Sequence, residues 1–163
     1  MSTLKDLMSR YARPGRVAWI GLRPQRHAPV VVVEQAGVTQ AGLEGDRGRA
    51  GKRAVTLIQG EHLPAIASLA GLEAVAPETL RRNIVVSGLN LTAFRNGRLA
   101  IGEALIEITT PCAPCSQMEA ALGPGGYNAM RGHGGWCASV IRPGRIRVGD
   151  EVVPVADTGS GGG

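Results

Sequence analysis

Short runs of apolar residues, separated by glycine, proline and charged residues, dominate the sequence, and this pattern predicts mostly β-strands. Two segments, residues 98–108 and 145–155, each contain a strand-like run, a glycine followed by an acid, and a second strand-like run. Each segment is therefore predicted to form an antiparallel hairpin. Further strands are predicted at residues 17–22, 29–34, 54–59, 84–87 and 136–141.

Helical spacing is limited to short segments. Apolar residues recur at the interval of one helical turn near the start of the chain, which predicts an amphipathic helix within residues 1–14. Residues 15–155 are predicted to form one domain, and the glycine-rich residues 156–163 a flexible tail. Other short helices are predicted at residues 61–69, 77–80 and 116–122.

Many short strands with few, short helices favour one fold class. We expect a mainly β protein, a compact and mostly antiparallel β-barrel, because a closed barrel leaves no unpaired strand edges. The length of 163 residues and the hydrophobic content of 44% suit a single core.

The net positive charge of the chain indicates an anionic ligand. The net charge is +5, and Lys5 and Lys52 are the only lysines among 18 basic residues. Arginine presents a planar fork that matches phosphate and carboxylate groups. Few aromatic residues and scattered arginines argue against nucleic acid. No secretory segment or long apolar run is present, so we expect a cytoplasmic protein with reduced thiols and no membrane contact.

Two segments carry candidate anion-binding residues. Residues 37–53 are rich in glycine and contain Arg47, Arg49, Lys52 and Arg53, but they match neither the P-loop nor the dinucleotide-binding pattern. Spacing alone favours a solvated loop over an anion site there. The second segment precedes a predicted strand and is either an anion clamp or a pair of surface arginines at a helix end. It consists of Arg81, Arg82 and Asn83.

The segment 109–135 carries the candidate chemistry. Cys112 and Cys115 form a CxxC pair between a predicted strand and a predicted helix. A thiol at a helix start faces unpaired N–H groups that lower its pKa, and Cys115 is better placed for this than Cys112. A cluster of polar residues follows among glycines, which allow close approach to a ligand. Its members are Tyr127, Asn128, Arg131 and His133.

Four interpretations of the thiols remain open from the residues alone. Cys112, Cys115, His133 and Cys137 have the types and spacing of a structural Cys3His zinc site. Cys137, however, alternates with other strand positions and is also typical of a small buried hydrophobe. A thioredoxin-like dithiol would need a βαβ context, which is not predicted here. In the third interpretation the thiols are buried only for packing. In the fourth, a thiolate ligates a cofactor metal in a pocket of arginine and amide groups.

Five sequence blocks in order resemble one family. The blocks GLEGDR with GKRAVTLIQGEHL, LRRNIVVSGLNL, LAIGEALIEITTPCAPC, GYNAMRGHGG and IRVGDEV resemble the stand-alone MOSC domain, named for the C-terminal domain of molybdenum cofactor sulfurase. The resemblance implies a barrel of the pyruvate-kinase-barrel-like type with one reactive cysteine. In related amidoxime-reducing proteins, the cysteine that matches Cys115 ligates molybdenum, and an RxN motif that matches Arg81 and Asn83 helps to hold the pterin cofactor.

What the resemblance implies is molybdenum cofactor (molybdopterin) bound through Cys115, with reduction of small N-hydroxylated compounds by electrons from a separate reductase. His133 is the expected proton donor. One alternative is a non-enzymatic sulfur carrier that receives a persulfide on Cys115 from a desulfurase; the zinc protein is another. Pyridoxal phosphate belongs to family-level descriptions, and we do not expect it here. We expect a monomer or a homodimer. The expected cofactor-binding residues are Arg81, Arg82, Asn83, Lys52, Arg53, Tyr127, Asn128 and Arg131.

Overall fold

A computed structural model describes residues 2–113 and 116–156. The predicted tail, apart from Ala156, lies outside these residues. The helices are α1 (Leu4–Ser9), α2 (His62–Ala70), α3 (Pro77–Leu80), α4 (Gln117–Leu122) and α5 (Gly126–Met130), with one 3-10 helix at Leu91–Phe94. The strands are β1 (Gly15–Leu22), β2 (Val31–Val33), β3 (Gln35–Thr39), β4 (Gly42–Leu43), β5 (Val55–Gln59), β6 (Ile84–Ser87), β7 (Arg98–Ile101), β8 (Ala104–Pro111), β9 (Trp136–Arg142), β10 (Gly144–Arg147) and β11 (Glu151–Val155).

Seven strands form a closed barrel in the order β1, β11, β7, β8, β9, β5, β6 and back to β1. Closure occurs where Gly15 and Arg16 of β1 pair with Val152 and Glu151 of β11. Within the barrel only β5 and β6 run parallel, and α2 and α3 make the crossover between them. β2 extends the sheet beyond β1, and β10, β3 and β4 form a separate small sheet. The predicted fold class is confirmed.

β5 is buried on both faces because the barrel core covers one face and helices cover part of the other. Val55 and Leu57 belong to the core inside the barrel. Ile58 lies outside and packs in a second apolar cluster with residues of α2, α3, α4 and α5, among them Ile66 and Met130. These helices therefore protect one part of the outer barrel face and leave the remainder available for a site.

One predicted hairpin is wrong. Residues 145–155 form two strands, β10 and β11, as the sequence pattern indicates, but these strands belong to different sheets. β10 pairs with β3 and β11 pairs with β7 and β1. The turn between them is fixed by other partners, because the Gly149 N–H donates to Val17 and the Val148 N–H donates to Glu34. By contrast, the predicted hairpin at 98–108 is present as β7 and β8.

Two further differences are local. The strand predicted at 29–34 is shortened to β2, and β3, β4 and α5 were not predicted from the sequence. Across the described ranges, the helices all fall short of the length and apolar character that crossing a bilayer requires.

Candidate functional site

A cavity of about 740 Å³ lies against the outer face of β5 and β9. Thr56 in β5 is paired directly with Cys137 in β9, and both residues line the cavity. Their neighbours Val55 and Ala138 belong to the core inside the barrel. Because successive side chains of a strand point to opposite faces, Thr56 and Cys137 face away from that core. The site is thus built on two rigid strands.

The cavity wall is strongly cationic. Among the described residues that line it, none is acidic. Four of the cations come from the loop between β4 and β5, where their side chains are exposed. Within residues 2–113 and 116–156, those four form no salt bridge with any acid. Several uncompensated positive charges around one concave surface attract anions. The lining cations are Arg23, Arg47, Arg49, Lys52, Arg53 and Arg82.

Arg23 differs from the other cations because its charge is compensated. Its Nη2 lies 3.0 Å from Oδ2 of Asp46, whose side chain has no exposed surface. The Arg23 backbone N–H also donates to Oδ1 of Asp46 at 2.6 Å. The Asn83 amide donates to the same oxygen at 3.1 Å and accepts a hydrogen bond from the Thr56 N–H at 3.1 Å. This buried network fixes the cationic loop to β5 and β6 beside the cavity.

Two thiols from neighbouring strands meet at the cavity wall. The sulfurs of Cys112, which follows β8, and Cys137 are 3.1 Å apart, and both residues are buried. The hydrogen bond with Cys137, together with burial, raises the pKa of Cys112 far above its ordinary value. The hydrogen bond with Cys112 lowers the pKa of Cys137, and the charges of Arg53 and Arg82 act in the same direction against the effect of burial. The pair therefore favours a thiolate on Cys137. This cysteine is buried, as a core position would be, but it faces the cavity.

Glycine allows the segment after α5 to approach the thiols closely. Gly135 has a φ of +91°, and a Cβ there would overlap the carbonyl oxygen of Leu57. Its own carbonyl accepts a hydrogen bond from the Cys112 N–H at 2.9 Å. A Cβ at Gly134 would lie 2.6 Å from the Cys112 carbonyl oxygen. No larger residue fits either position without moving Cys112 or β5.

Arg81, Arg82 and Asn83 have three different environments. Arg81 adopts a left-handed conformation, and its guanidinium donates to the carbonyls of Ala28 at 2.6 Å and Gln25 at 3.3 Å. Arg82 lines the cavity, and its Nε donates to the Gly134 carbonyl at 2.8 Å. Asn83 is fully buried in the network described above. Only Arg82 of the three lines the cavity, and it joins this segment to the glycines beside Cys112.

The polar cluster of α5 and the residues after it faces elsewhere. Tyr127, Asn128 and Arg131 are exposed and line neither cavity beside the cysteines. His133 is half-buried, and its ring contacts that of His62 edge to face, with 5.1 Å between the ring centroids. Within the described ranges, Nδ1 of His133 is buried without a hydrogen-bond partner.

A second cavity of about 220 Å³ shares Pro111 and Cys112 with the first. His62 and Trp136 line it. Burial lowers the pKa of His62, and the neighbouring His133 lowers it further, so the His62 imidazole favours its neutral form.

Sequence reasoning missed three lining residues, each of which carried only a weak signal. Arg23 follows directly after a predicted strand, Thr56 is one polar residue within an apolar strand, and His62 occupies the first turn of a predicted helix.

The predicted set of zinc ligands is only partly brought together among the described residues. Cys112 and Cys137 meet, but within residues 2–113 and 116–156 no group of three or more His, Cys, Asp or Glu side chains is placed to hold a metal ion. His133 therefore does not join the pair as a third ligand. Cys115, the remaining member of the predicted set and the expected metal ligand, lies outside the described residues.

Comparison with known proteins identifies the family. Residues 44–153 match the model of the MOSC domain. The YUAD protein from Bacillus subtilis has a similar crystal structure, with a TM-score of 0.75 at 20% identity over 86% of this chain and 94% of that one. YiiM from Escherichia coli superposes with a TM-score of 0.67 at 25% identity, covering 86% and 70% of the two chains. YiiM from Geobacillus stearothermophilus gives 0.71 at 19% identity, covering 88% and 76%. No curated protein matches the sequence. The family match covers most of the barrel and the whole cationic loop, and the chain therefore belongs to the MOSC domain family.

Proposed function

We propose that this protein binds molybdenum cofactor in the cationic cavity, with Cys115 as the metal ligand, and reduces N-hydroxylated compounds. A separate reductase in the cytoplasm would supply the electrons. The observation that carries the proposal is a cavity whose described lining residues include six cations and a thiol pair but no acid. Its wall includes Ala113, two residues before Cys115 in the sequence.

The residues present fit the chemistry of this cofactor. Its anionic end needs cations with forked or multiple donors, and Arg49, Lys52 and Arg53 have no acidic partner among the described residues. A thiophilic metal needs a soft ligand, and thiolate is suitable. The cavity volume is also within the range of roughly 300–1,000 Å³ that is usual for small-molecule sites.

The protein groups around the cavity have separate tasks in this proposal. When bound, the cofactor would supply the two electrons that break an N–O bond. Lys52 and Arg53 bind its anionic part, and Arg82 holds the Gly134 carbonyl so that the glycine segment keeps its close contact with Cys112. His133 is the proposed proton source. His62 contacts the His133 ring and lines the second cavity, so it offers the proton a route toward that cavity.

Metal analysis of protein made in a host that synthesises the cofactor tests the proposal. Molybdenum is expected in the unaltered protein and absent from Cys115→Ser. Arg53→Gln is expected to reduce the molybdenum content, whereas Arg142→Gln removes the same charge from an exposed position that does not line the cavity and should leave the content unchanged. Molybdenum-free unaltered protein, or molybdenum retained in Cys115→Ser, would contradict the proposal.

A sulfur carrier is the second candidate, and it is favoured by the lowered pKa of Cys137, which the hydrogen bond with Cys112 and the charges of Arg53 and Arg82 cause. In this role Cys115 would hold a persulfide received from a desulfurase. Cyanide should then release sulfur as thiocyanate from molybdenum-free protein but not from Cys115→Ser. The same assay on Cys137→Ser controls for sulfur held at the thiol pair.

A further inference from the structure

Cys112 and Cys137 are arranged as a dithiol. Their sulfurs are 3.1 Å apart and hydrogen-bonded, whereas a disulfide bond is about 2.05 Å long, so an approach of about 1 Å would join them. The backbone already holds the two residues together, because Pro111 is paired with Trp136 and the Cys112 N–H donates to Gly135. A bond between the sulfurs therefore needs a small local movement and no change in strand pairing.

The surroundings of the dithiol favour attack on an anionic partner. Both cysteines line the open cationic cavity, so a small molecule can reach the sulfurs although the residues are buried in the fold. The Cys137 thiol is the more acidic of the two and is the better nucleophile near neutral pH. Thiolate, not thiol, attacks a disulfide.

We propose that Cys112 and Cys137 form a thiol–disulfide exchange site that reduces small anionic disulfides. Cys137 thiolate attacks one sulfur of the disulfide, forms a mixed disulfide and releases the first thiolate. Cys112 then loses its proton and attacks Cys137 Sγ, which releases the second thiolate and leaves a Cys112–Cys137 disulfide. The protein pair loses two electrons and the substrate gains them, with the Cys112 proton passing to the leaving thiolate or to water.

Substrate selection follows from the cavity. Arg49, Lys52 and Arg53 attract a carboxylate-bearing disulfide and have no acidic partner among the described residues, whereas a neutral disulfide gains nothing from them. This activity differs from the proposed cofactor chemistry. It involves neither molybdenum nor Cys115, so the two proposals fail independently.

The test uses the full chain with Cys115→Ser, in which Cys112 and Cys137 are the remaining cysteines. The anionic probe is 5,5′-dithiobis(2-nitrobenzoate) and the neutral probe is 2-hydroxyethyl disulfide. We expect two thionitrobenzoate molecules released per chain, no retained adduct, and a protein mass lower by two hydrogens. The ratio of the reaction rate with the anionic probe to that with the neutral probe should be about tenfold higher for the folded protein than for the same protein unfolded in urea. Added salt should remove this preference for the anionic probe.

Single-cysteine variants identify the order of the steps. In the same background, Cys112→Ser should release one thionitrobenzoate and keep the adduct on Cys137. Cys137→Ser should react at least about tenfold more slowly, because it removes the thiol whose pKa Arg53 lowers and leaves Cys112, whose pKa burial raises. Arg53→Gln should slow the anionic probe more than the neutral one, because Arg53 attracts the anion and also lowers the pKa of Cys137, with Arg142→Gln as the matched charge control.

Three results would overturn the proposal. One is a stable mixed disulfide in the protein that retains both thiols, since it would show that Cys112 does not complete the exchange. Another is equal preference for the two probes at low salt. The third is thiols that react only after unfolding, which would show that the cavity gives no access to them.

Discussion

Replacing Asn83 with alanine should destabilise the protein even when no cofactor is present. The Asn83 side chain is fully buried and accepts hydrogen bonds from the Thr56 N–H, the Thr56 hydroxyl and Arg23 Nη2, at 3.1, 3.2 and 3.3 Å. It donates to the Gly21 carbonyl and Asp46 Oδ1, both at 3.1 Å. Alanine removes all five hydrogen bonds and leaves buried polar groups of β1 and β5 without this partner.

The expected loss can be worked from these partners. Each neutral hydrogen bond contributes about 0.5–1.5 kcal/mol net, and a bond to a charged group about 1.5–3 kcal/mol. Arg23 keeps its ion pair with Asp46 after the change, so its weak 3.3 Å contact adds little. The free energy of unfolding should therefore fall by about 3–7 kcal/mol, a large part of the roughly 5–15 kcal/mol typical of a domain.

Urea denaturation of the cofactor-free protein measures this loss. Asn128→Ala is the matched control, because Asn128 is exposed on α5 and should change the free energy of unfolding by no more than about 0.5 kcal/mol. If Asn83→Ala lost less than about 1 kcal/mol at an unchanged m-value, the network would not hold the barrel as described. Asn83 would then be free to serve a ligand, as the sequence motif predicts.

Three other perturbations test separate features. Gly135→Ala should lower the free energy of unfolding, measured by urea denaturation, by at least about 1–3 kcal/mol. Gly135 has a positive φ, and the Cβ of alanine would overlap the Leu57 carbonyl. Glu61→Gln should weaken the loss of stability in acid. Burial raises the pKa of Glu61, but hydrogen bonds from Gln59 and the Gly88 N–H outweigh burial and hold this pKa below the ordinary 4.5. The ionised carboxylate therefore stabilises the fold above pH 4.5, and this contribution is lost as the pH falls through the lower pKa of the folded state. Arg53→Gln should weaken the binding of inorganic pyrophosphate about threefold to tenfold in calorimetry at low salt.

Matched variants separate these effects from general damage. Gly132 also has a positive φ but has open space around it, so Gly132→Ala should cost less than Gly135→Ala. Equal losses would mean that the contact with Leu57 is unimportant. Glu73→Gln alters an exposed glutamate and should leave the acid profile as it is. An unchanged profile in Glu61→Gln would refute the role of that carboxylate. Arg142→Gln should bind pyrophosphate as the unaltered protein does.

The alternation of apolar residues predicted the barrel, because strand formation depends on the local sequence pattern and closure depends on the need to hide strand edges. It failed at residues 145–155, where the same pattern encodes two strands but does not encode their partners. Glu34 and Val17, far away in sequence, hold the turn between those strands and direct β10 and β11 into different sheets.

The candidate site was predictable in its residue types more than in its contacts. The sequence paired Cys112 with Cys115 because they are close along the chain, whereas the register of β8 and β9 brings Cys112 to Cys137. The loop cations gave no pattern of their own, and only folding sets them around one cavity. For Arg81 and Asn83, the motif showed the residue types but not that backbone carbonyls and a buried carboxylate would be their partners.

The joining of β1 to β11 at Gly15 and Val152 also constrains how the protein is made. The barrel cannot close until β11 has left the ribosome, so the first residues of β1 wait without their partner through most of synthesis, and one edge of β7 waits from the time that β7 is made. Until then the cationic loop, β8 with the Cys112 that follows it, and β9 with Cys137 belong to an open sheet. Chaperone contact with β1 or β7 during translation would protect these edges, and shortening the chain before Val152 would leave them exposed in the finished protein.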